Sequence, residues 1–77
     1  MIEWGSGTEK RVFKYVEKYI IDHNYPPSVR EVKDGLKLSS ISVVNYHLKA
    51  LSVAGRLSWV KGMARTITIP GLVSRYV

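Results

Sequence analysis

The sequence predicts one small, mostly α-helical domain in which three helices are followed by a short β-hairpin. Apolar residues recur at intervals of three and four through residues 8–54, as they do on one face of a helix. After Gly55 the pattern changes to an alternation of β-branched or aromatic residues with polar ones, which is typical of strands. The chain has 77 residues, is 45% hydrophobic and contains no cysteine, so a single core without disulfides is expected.

The first helix is predicted to begin at Thr8, which can act as its N-cap, and to end near His23. Asn24 is the expected C-cap, and the prolines of Tyr25-Pro26-Pro27 stop the helix. Its apolar positions are Val12, Phe13, Val16 and Ile20. We therefore expect a flexible lead-in at residues 1–7, the folded domain at residues 8–71 and a short C-terminal tail at residues 72–77.

The second and third helices carry recognisable end signals. Ser28-Val29-Arg30-Glu31 has the form of a capping box, with serine at the cap and glutamate three residues later. Ser40, or alternatively Ser39, is expected to cap the third helix, and Gly55 to follow its end. The predicted core positions of the third helix are Ile41, Val44, Leu48 and Leu51.

Residues 56–60 and 66–69 read as two strands that are joined by the glycine-containing turn 61–65. Three helices, a short turn between the second and third, and a terminal hairpin together make up a winged helix-turn-helix. In such a fold the third helix enters the DNA major groove and the hairpin, or wing, lies near the phosphate backbone.

The charge distribution favours a polyanionic partner. Twelve Lys and Arg residues against six Asp and Glu residues give a net charge of +6. All the acidic residues lie at or before Asp34, and the six basic residues after Gly35 are accompanied by none. The net positive charge therefore comes entirely from the second part of the chain, which contains the third helix and the hairpin.

The predicted DNA contacts follow from this arrangement. Amide and hydroxyl side chains can bond base edges, an apolar side chain can meet a thymine methyl, and hydroxyls and cations can hold phosphates. The expected base contacts are Ser42, Val43, Asn45 and Tyr46, and the expected backbone contacts are Ser28, Ser40, Lys49, Lys61 and Arg65. His47 borders the core stripe and is expected to be packed, and Trp59 is expected to pack rather than stack on a base.

The segment PPSVREVKDGLKLSSISVVNYHLKALSVAGRL resembles the DNA-binding domain of LexA-type repressors. The shared features are Pro26-Pro27, the cap at Ser28, and the string from His47 to Leu51 with Gly55 following. The resemblance covers residues 8–69 and implies a winged helix-turn-helix repressor. Lys37 and Ile41 depart from the glycine and proline common in the family. LexA proteins continue into a linker and a self-cleaving domain, so this chain is either a fragment or a stand-alone protein.

The predicted function is sequence-specific binding of double-stranded DNA by a transcriptional repressor, with helix 40–54 in the major groove and hairpin 56–69 as the wing. A second copy of the chain on DNA is a further expected partner. The alternative is a winged-helix module that docks onto protein or RNA in a larger assembly. Salt-sensitive binding to random duplex DNA would distinguish the two.

Other function classes find little support in the sequence. No catalytic constellation or phosphate-binding glycine loop is present, so we expect no enzymatic activity and no small-molecule substrate. Two histidines without cysteine argue against a structural zinc site, and no cofactor is expected. Because no apolar run approaches the ~18 residues of a membrane helix and no signal peptide is evident, we expect a cytoplasmic protein without a membrane partner.

Overall fold

The computed structural model describes residues 7–70, and helices account for most of them. Helix α1 spans Gly7–His23, α2 spans Val29–Leu36 and α3 spans Ile41–Val53. The three helices pack against one another, which confirms the predicted mostly helical class. Most of the predicted lead-in and the predicted tail at residues 72–77 lie outside the described residues. Within residues 7–70, no helix is both long and apolar enough to cross a membrane.

Helix α1 begins at Gly7, so Thr8 lies in its first turn and is not the cap that the sequence suggested. Helix starts commonly shift by a residue because the amides of the first turn make no intrahelical hydrogen bonds. The predicted end is confirmed. Asn24 adopts a left-handed conformation with φ 64°, and its N–H donates to the carbonyl of Ile20 at 2.8 Å.

The capping box of α2 is present as predicted. The Ser28 hydroxyl accepts from the Glu31 N–H at 3.1 Å, and the Ser28 N–H donates to Glu31 Oε1 at 2.8 Å. At the other end, Lys37 takes the left-handed conformation with φ 56°, where a residue with a Cβ costs about 1–2 kcal/mol. The N–H groups of Lys37 and Leu38 satisfy the last carbonyls of the helix.

Gly35 allows α1 and α2 to approach closely. A Cβ at this position would overlap the Tyr15 ring, whose hydroxyl donates to the carbonyl of Glu31 at 3.3 Å. The glycine that weakens α2 as a helix is therefore the residue that makes room for Tyr15 between the two helices.

We expect Gly35→Ala to destabilise the fold. Alanine favours a helix interior by about 0.8–1 kcal/mol over glycine, but displacement of Tyr15 costs about 1–3 kcal/mol, as overpacking does. Urea denaturation should therefore show a lower free energy of unfolding than in the parent. Gly7→Ala is the control because nothing among residues 7–70 lies within 4 Å of its added Cβ. If the two variants are equally stable, the Tyr15 ring is not held against Gly35.

Helix α3 provides the centre of the core. Val44, Leu48 and Leu51 are completely buried, and Ser40 is confirmed as the cap because its hydroxyl accepts from the Val43 N–H at 3.3 Å. The prediction that Ile41 is a core residue is wrong, since Ile41 is 36% exposed. Helical side chains point towards the N-terminus, so a side chain in the first turn can extend past the packed part of the helix.

His47 occupies part of the buried stripe and is only 9% exposed, which confirms the prediction that it is packed. The end of α3 also agrees with the sequence. Gly55 has φ 77°, and the Arg56 N–H reaches back to the carbonyl of Leu51 at 2.9 Å. This is the glycine-terminated geometry expected where a helix turns into the next segment.

Residues 56–69 fold back on themselves through a single antiparallel bridge between Ser58 and Thr68, whereas the sequence suggested two continuous strands. Their reciprocal N–H to carbonyl distances are 2.7 and 2.8 Å. At the next position of the ladder, the Thr66 hydroxyl accepts from the Val60 N–H at 3.0 Å and lies 3.1 Å from the Val60 carbonyl. A side chain therefore replaces the backbone of residue 66, and the regular ladder stops there.

The base of this fold-back is anchored in the core. Leu57 is 2% exposed and Ile67 is 1% exposed, while Trp59 and Ile69 are partly buried against the same cluster. The predicted alternation of inward and outward residues is therefore present, and the prediction that Trp59 packs is confirmed. The fold-back is held beside α3 by buried apolar residues on both of its arms.

Candidate nucleic-acid interface

The outward face of α3 and the adjoining part of residues 56–65 form one open groove. It is lined by Ser42, Asn45, Tyr46, Lys49, Trp59 and Lys61. Five of these residues were predicted to contact DNA. Among residues 7–70, two lysines and no carboxylate line the groove, so its electrostatic character suits a polyanion.

The four predicted base contacts differ in how far they project. Tyr46 is 68% exposed, Ser42 is exposed, and Val43 and Asn45 are half-buried. Val43 lies outside the residues that line the groove. The ring of Tyr46 meets the His47 ring edge-on, with their centroids 5.2 Å apart. The buried histidine therefore gives the exposed tyrosine a fixed neighbour.

His47 also connects the groove to α1. Its Nδ1 lies 4.0 Å from Glu9 Oε1, and both side chains are largely buried. That nitrogen has no hydrogen-bond partner within the described residues. Sequence reasoning placed His47 in the core but gave no signal for its neighbour, because Glu9 is on a different helix.

The predicted backbone contacts on the helices lie at suitable positions. Ser28 and Ser40 are the N-caps of α2 and α3. Each hydroxyl accepts a backbone N–H and keeps its own proton, which can be donated to a phosphate oxygen. The N-terminus of a helix also favours an anion through its dipole and unpaired amides.

Lys49 and Lys61 provide the positive charge of the groove. Both are exposed and both line it. Among residues 7–70, neither forms an ion pair with an acidic side chain.

Arg65 is held by contacts within the protein. Its guanidinium donates to the carbonyl of Pro26 at 2.9 Å and forms an ion pair with Glu31 Oε1 at 3.0 Å. It also lies 5.0 Å from the centroid of the Tyr25 ring, within the range of a cation–π contact. Sequence reasoning placed Arg65 on a phosphate and missed these contacts, because Glu31 and Pro26 are 34 and 39 residues away along the chain.

The partners of Glu31 lower the pKa of its carboxyl below the ordinary value. The main cause is the hydrogen bond from the Ser28 backbone, and the hydrogen bond from Arg65 acts in the same direction. A carboxyl with a lowered pKa stays ionised into more acidic solution, so the contact that it stabilises is lost only as the pH falls through that lowered value. The Glu31–Arg65 pair is therefore intact at neutral pH.

Comparison with known proteins identifies the family. Residues 6–66 match the family model described as the LexA DNA binding domain. The LexA repressor of Roseiflexus sp. (strain RS-1) is 37% identical over 67 residues, which are 87% of this chain and 31% of that protein. The LexA repressor of Desulfatibacillum aliphaticivorans is 42% identical over 64 residues, which are 80% of this chain and 32% of that protein.

This chain thus spans about a third of the length of these curated relatives. The resemblance noted from the Pro-Pro pair, the capping box and the His47–Leu51 string is confirmed, because the matched segment contains all of them. With a family model that covers most of the chain and a three-helix structure that agrees with it, the protein belongs to the LexA DNA-binding domain family.

Proposed function

We propose that this chain binds double-stranded DNA sequence-specifically and acts as a transcriptional repressor. Helix α3 would lie in the major groove, and residues 56–69 would act as the wing beside the phosphate backbone. The observation that carries the proposal is the groove in which Asn45 and Tyr46 of α3 face Lys61 of the wing. Membership of the LexA DNA-binding domain family supports it, and so does the name LexA repressor carried by the relatives.

The base-reading role is assigned to the early and middle part of α3, which is where recognition helices usually meet base edges. Asn45 can bond the N6 and N7 atoms of adenine, and Ser42 can donate to or accept from a base. Val43 can contact a thymine methyl, and Tyr46 can stack or donate to a phosphate. The absence of a carboxylate from α3 leaves these residues free of repulsion from DNA.

The backbone contacts are assigned to the caps Ser28 and Ser40 and to Lys49 and Lys61. The two caps and the two lysines are on three different elements of the fold. Such contacts fix the position of the protein on the duplex without reading its sequence. Arg65 was predicted to join this group, and the contacts described above favour a different role for it.

The exposed apolar residues Val53 and Met63 favour the second candidate, a module that docks onto protein or RNA. They are 80% and 61% exposed, respectively. Neither lines the groove, whose residues are mostly polar or basic. We therefore prefer the DNA-binding role, and we assign no catalytic step to these 77 residues. A repressor of this kind would act in the compartment that holds the DNA.

The test is titration of random duplex DNA at three salt concentrations, followed by selection of bound sites from a random duplex pool. We expect affinity that falls with a logarithmic slope of about −0.9 for each phosphate contact. If two copies bind together, the selected sites should contain two related half-sites about 10 base pairs, or a multiple of this, apart. Binding that is absent at low salt, or selection that yields no preferred sequence, would contradict the proposal.

A further inference from the structure

The tip of the wing, residues 60–65, is chemically distinct from its base. The base is fixed by the buried side chains of Leu57 and Ile67 and by the Ser58–Thr68 bridge. In the tip, every residue from Val60 to Arg65 is exposed. The Met63 N–H donates to the carbonyl of Val60 at 3.2 Å, and the Thr66 hydroxyl lies 3.1 Å from the carbonyl of Met63. These bonds shape the tip but do not attach it to the helices.

The attachment to the helices is made by Arg65. Its NH1 group donates to the Pro26 carbonyl at 2.9 Å and lies 3.0 Å from Glu31 Oε1, while its NH2 group donates to Glu31 Oε2 at 3.2 Å. These hydrogen bonds join residues 60–65 to the helical body, and the Arg65 guanidinium also interacts with the Tyr19 side chain of α1. They fix one end of the tip to the α1–α2 connection and to the first turn of α2.

The acceptors of Arg65 are themselves held in place. Glu31 is bound by the Ser28 backbone in the capping box, and Pro26 is buried beside the completely buried Pro27. Arg65 also has a left-handed backbone with φ 56°, a conformation that is costly for a residue with a Cβ. Several side-chain contacts at a strained position indicate that the arginine side chain has a function there that glycine could not fulfil.

We infer that Arg65 is a positioning residue that holds the wing tip against α2 and so places Lys61 beside α3, in the groove. Lys61 is four residues before Arg65 in the same tip and has no ion pair of its own among residues 7–70. The effect of this positioning on DNA binding rests on the proposed function. It changes the expected role of Arg65, because an arginine held by Glu31 acts through Lys61 and not through a phosphate of its own.

The two roles of Arg65 make opposite predictions for Glu31→Gln. If Arg65 contacts phosphate directly, the loss of a neighbouring negative charge should free the arginine and strengthen DNA binding. If Arg65 positions Lys61, the weaker Gln–Arg contact should loosen the tip and weaken DNA binding. Glutamine is accepted at the third position of a capping box, so the start of α2 is preserved in this variant.

The experiment compares the parent with Arg65→Met, Glu31→Gln, Lys61→Ala and the double variant Arg65→Met/Lys61→Ala. Affinity for random duplex DNA is measured at three salt concentrations. We expect Lys61→Ala to lower affinity about threefold or more and to reduce the salt slope by about one unit in the parent. In the Arg65→Met background, the same change should have less than half of that effect on the logarithm of affinity.

The charge-matched control is Lys18→Met. Lys18 pairs with Asp22 on α1 at 2.9 Å, and neither residue lines the groove. In the Lys18→Met background, Lys61→Ala should keep its full effect. Equal effects of Lys61→Ala in the parent and in Arg65→Met, or stronger binding by Glu31→Gln, would overturn the positioning role.

A measurement without DNA separates this inference from the proposed function. Amide hydrogen exchange should become faster at Val60 and Met63 in Arg65→Met and Glu31→Gln, since these N–H groups are bonded inside the tip. The amides of Ser58 and Thr68 should keep their protection, because the core holds the base of the wing. If the parent does not bind DNA but exchange changes in this pattern, the proposed function fails and the positioning of the tip stands. Unchanged exchange at Val60 and Met63 overturns the positioning.

Discussion

Leu48→Ala or Leu51→Ala is expected to bring the protein close to global unfolding. Both side chains are completely buried in the centre of α3, and truncation of a buried leucine costs about 2–5 kcal/mol. A domain of this size without disulfides has a total stability of only about 3–5 kcal/mol. Circular dichroism should show a much lower midpoint in thermal denaturation. In urea denaturation at 25 °C, it should show a much lower midpoint or no cooperative transition.

Val53→Ala is the control on the same helix. Val53 is 80% exposed, so its truncation should change stability by about 0.5 kcal/mol or less. The contrast separates loss of core packing from any general effect of alanine on α3. A Leu48→Ala variant that melts like the parent would show that the buried face of α3 has been assigned to the wrong residues.

Asn45→Ala is expected to reduce sequence preference while leaving affinity for random duplex DNA nearly unchanged. Asn45 lines the groove on the third helix, and a bidentate bond to adenine contributes about 1–3 kcal/mol of discrimination. Affinity for the selected site should therefore fall by about 5- to 150-fold, since 1.4 kcal/mol corresponds to a factor of ten. Affinity for random duplex DNA should stay close to that of the parent.

Lys61→Ala is the comparison that should behave in the opposite way. Lys61 lines the groove from residues 56–69, which we propose lie beside the phosphate backbone, so its expected contact is a phosphate and not a base. Its loss should weaken binding to the selected site and to random DNA equally and lower the salt slope by about one unit. The measurement is a pair of binding curves at three salt concentrations for each variant. A change of sequence preference in Lys61→Ala, together with a uniform loss in Asn45→Ala, would reverse the roles assigned to α3 and the wing.

The helices were determined by local chemistry that the sequence displays. The capping box at Ser28 and the cap at Ser40 start α2 and α3 where they were expected, because each depends on side chains within three residues of one another. Gly55 ends α3 for the same kind of reason, since its positive φ is needed at one position only. The buried residues Val44, Leu48 and Leu51 follow from helical spacing alone.

The exposure of Ile41 and the hydrogen bonding of residues 56–69 depend on the tertiary structure. Ile41 has the spacing of a core residue but lies in the first turn of α3 and is partly exposed. Residues 56–69 have the alternating pattern of two strands, yet the Thr66 hydroxyl takes over the hydrogen bonds to Val60, and one bridge forms, between Ser58 and Thr68. Periodicity shows which residues share one face of a helix or strand. It does not show how far the surface that they pack against extends.

Some residues of the candidate site can be identified from the sequence, and others only from the tertiary structure. The sequence by itself determined the carboxylate-free face of α3, because composition and helical spacing are sufficient to define it. Only the tertiary structure brought Lys61 to that face and bound Arg65 to Glu31 and Pro26. The reason is physical: a contact between residues 34 apart depends on how the helices and the wing pack, and no local pattern of side chains encodes the distance between two separate elements.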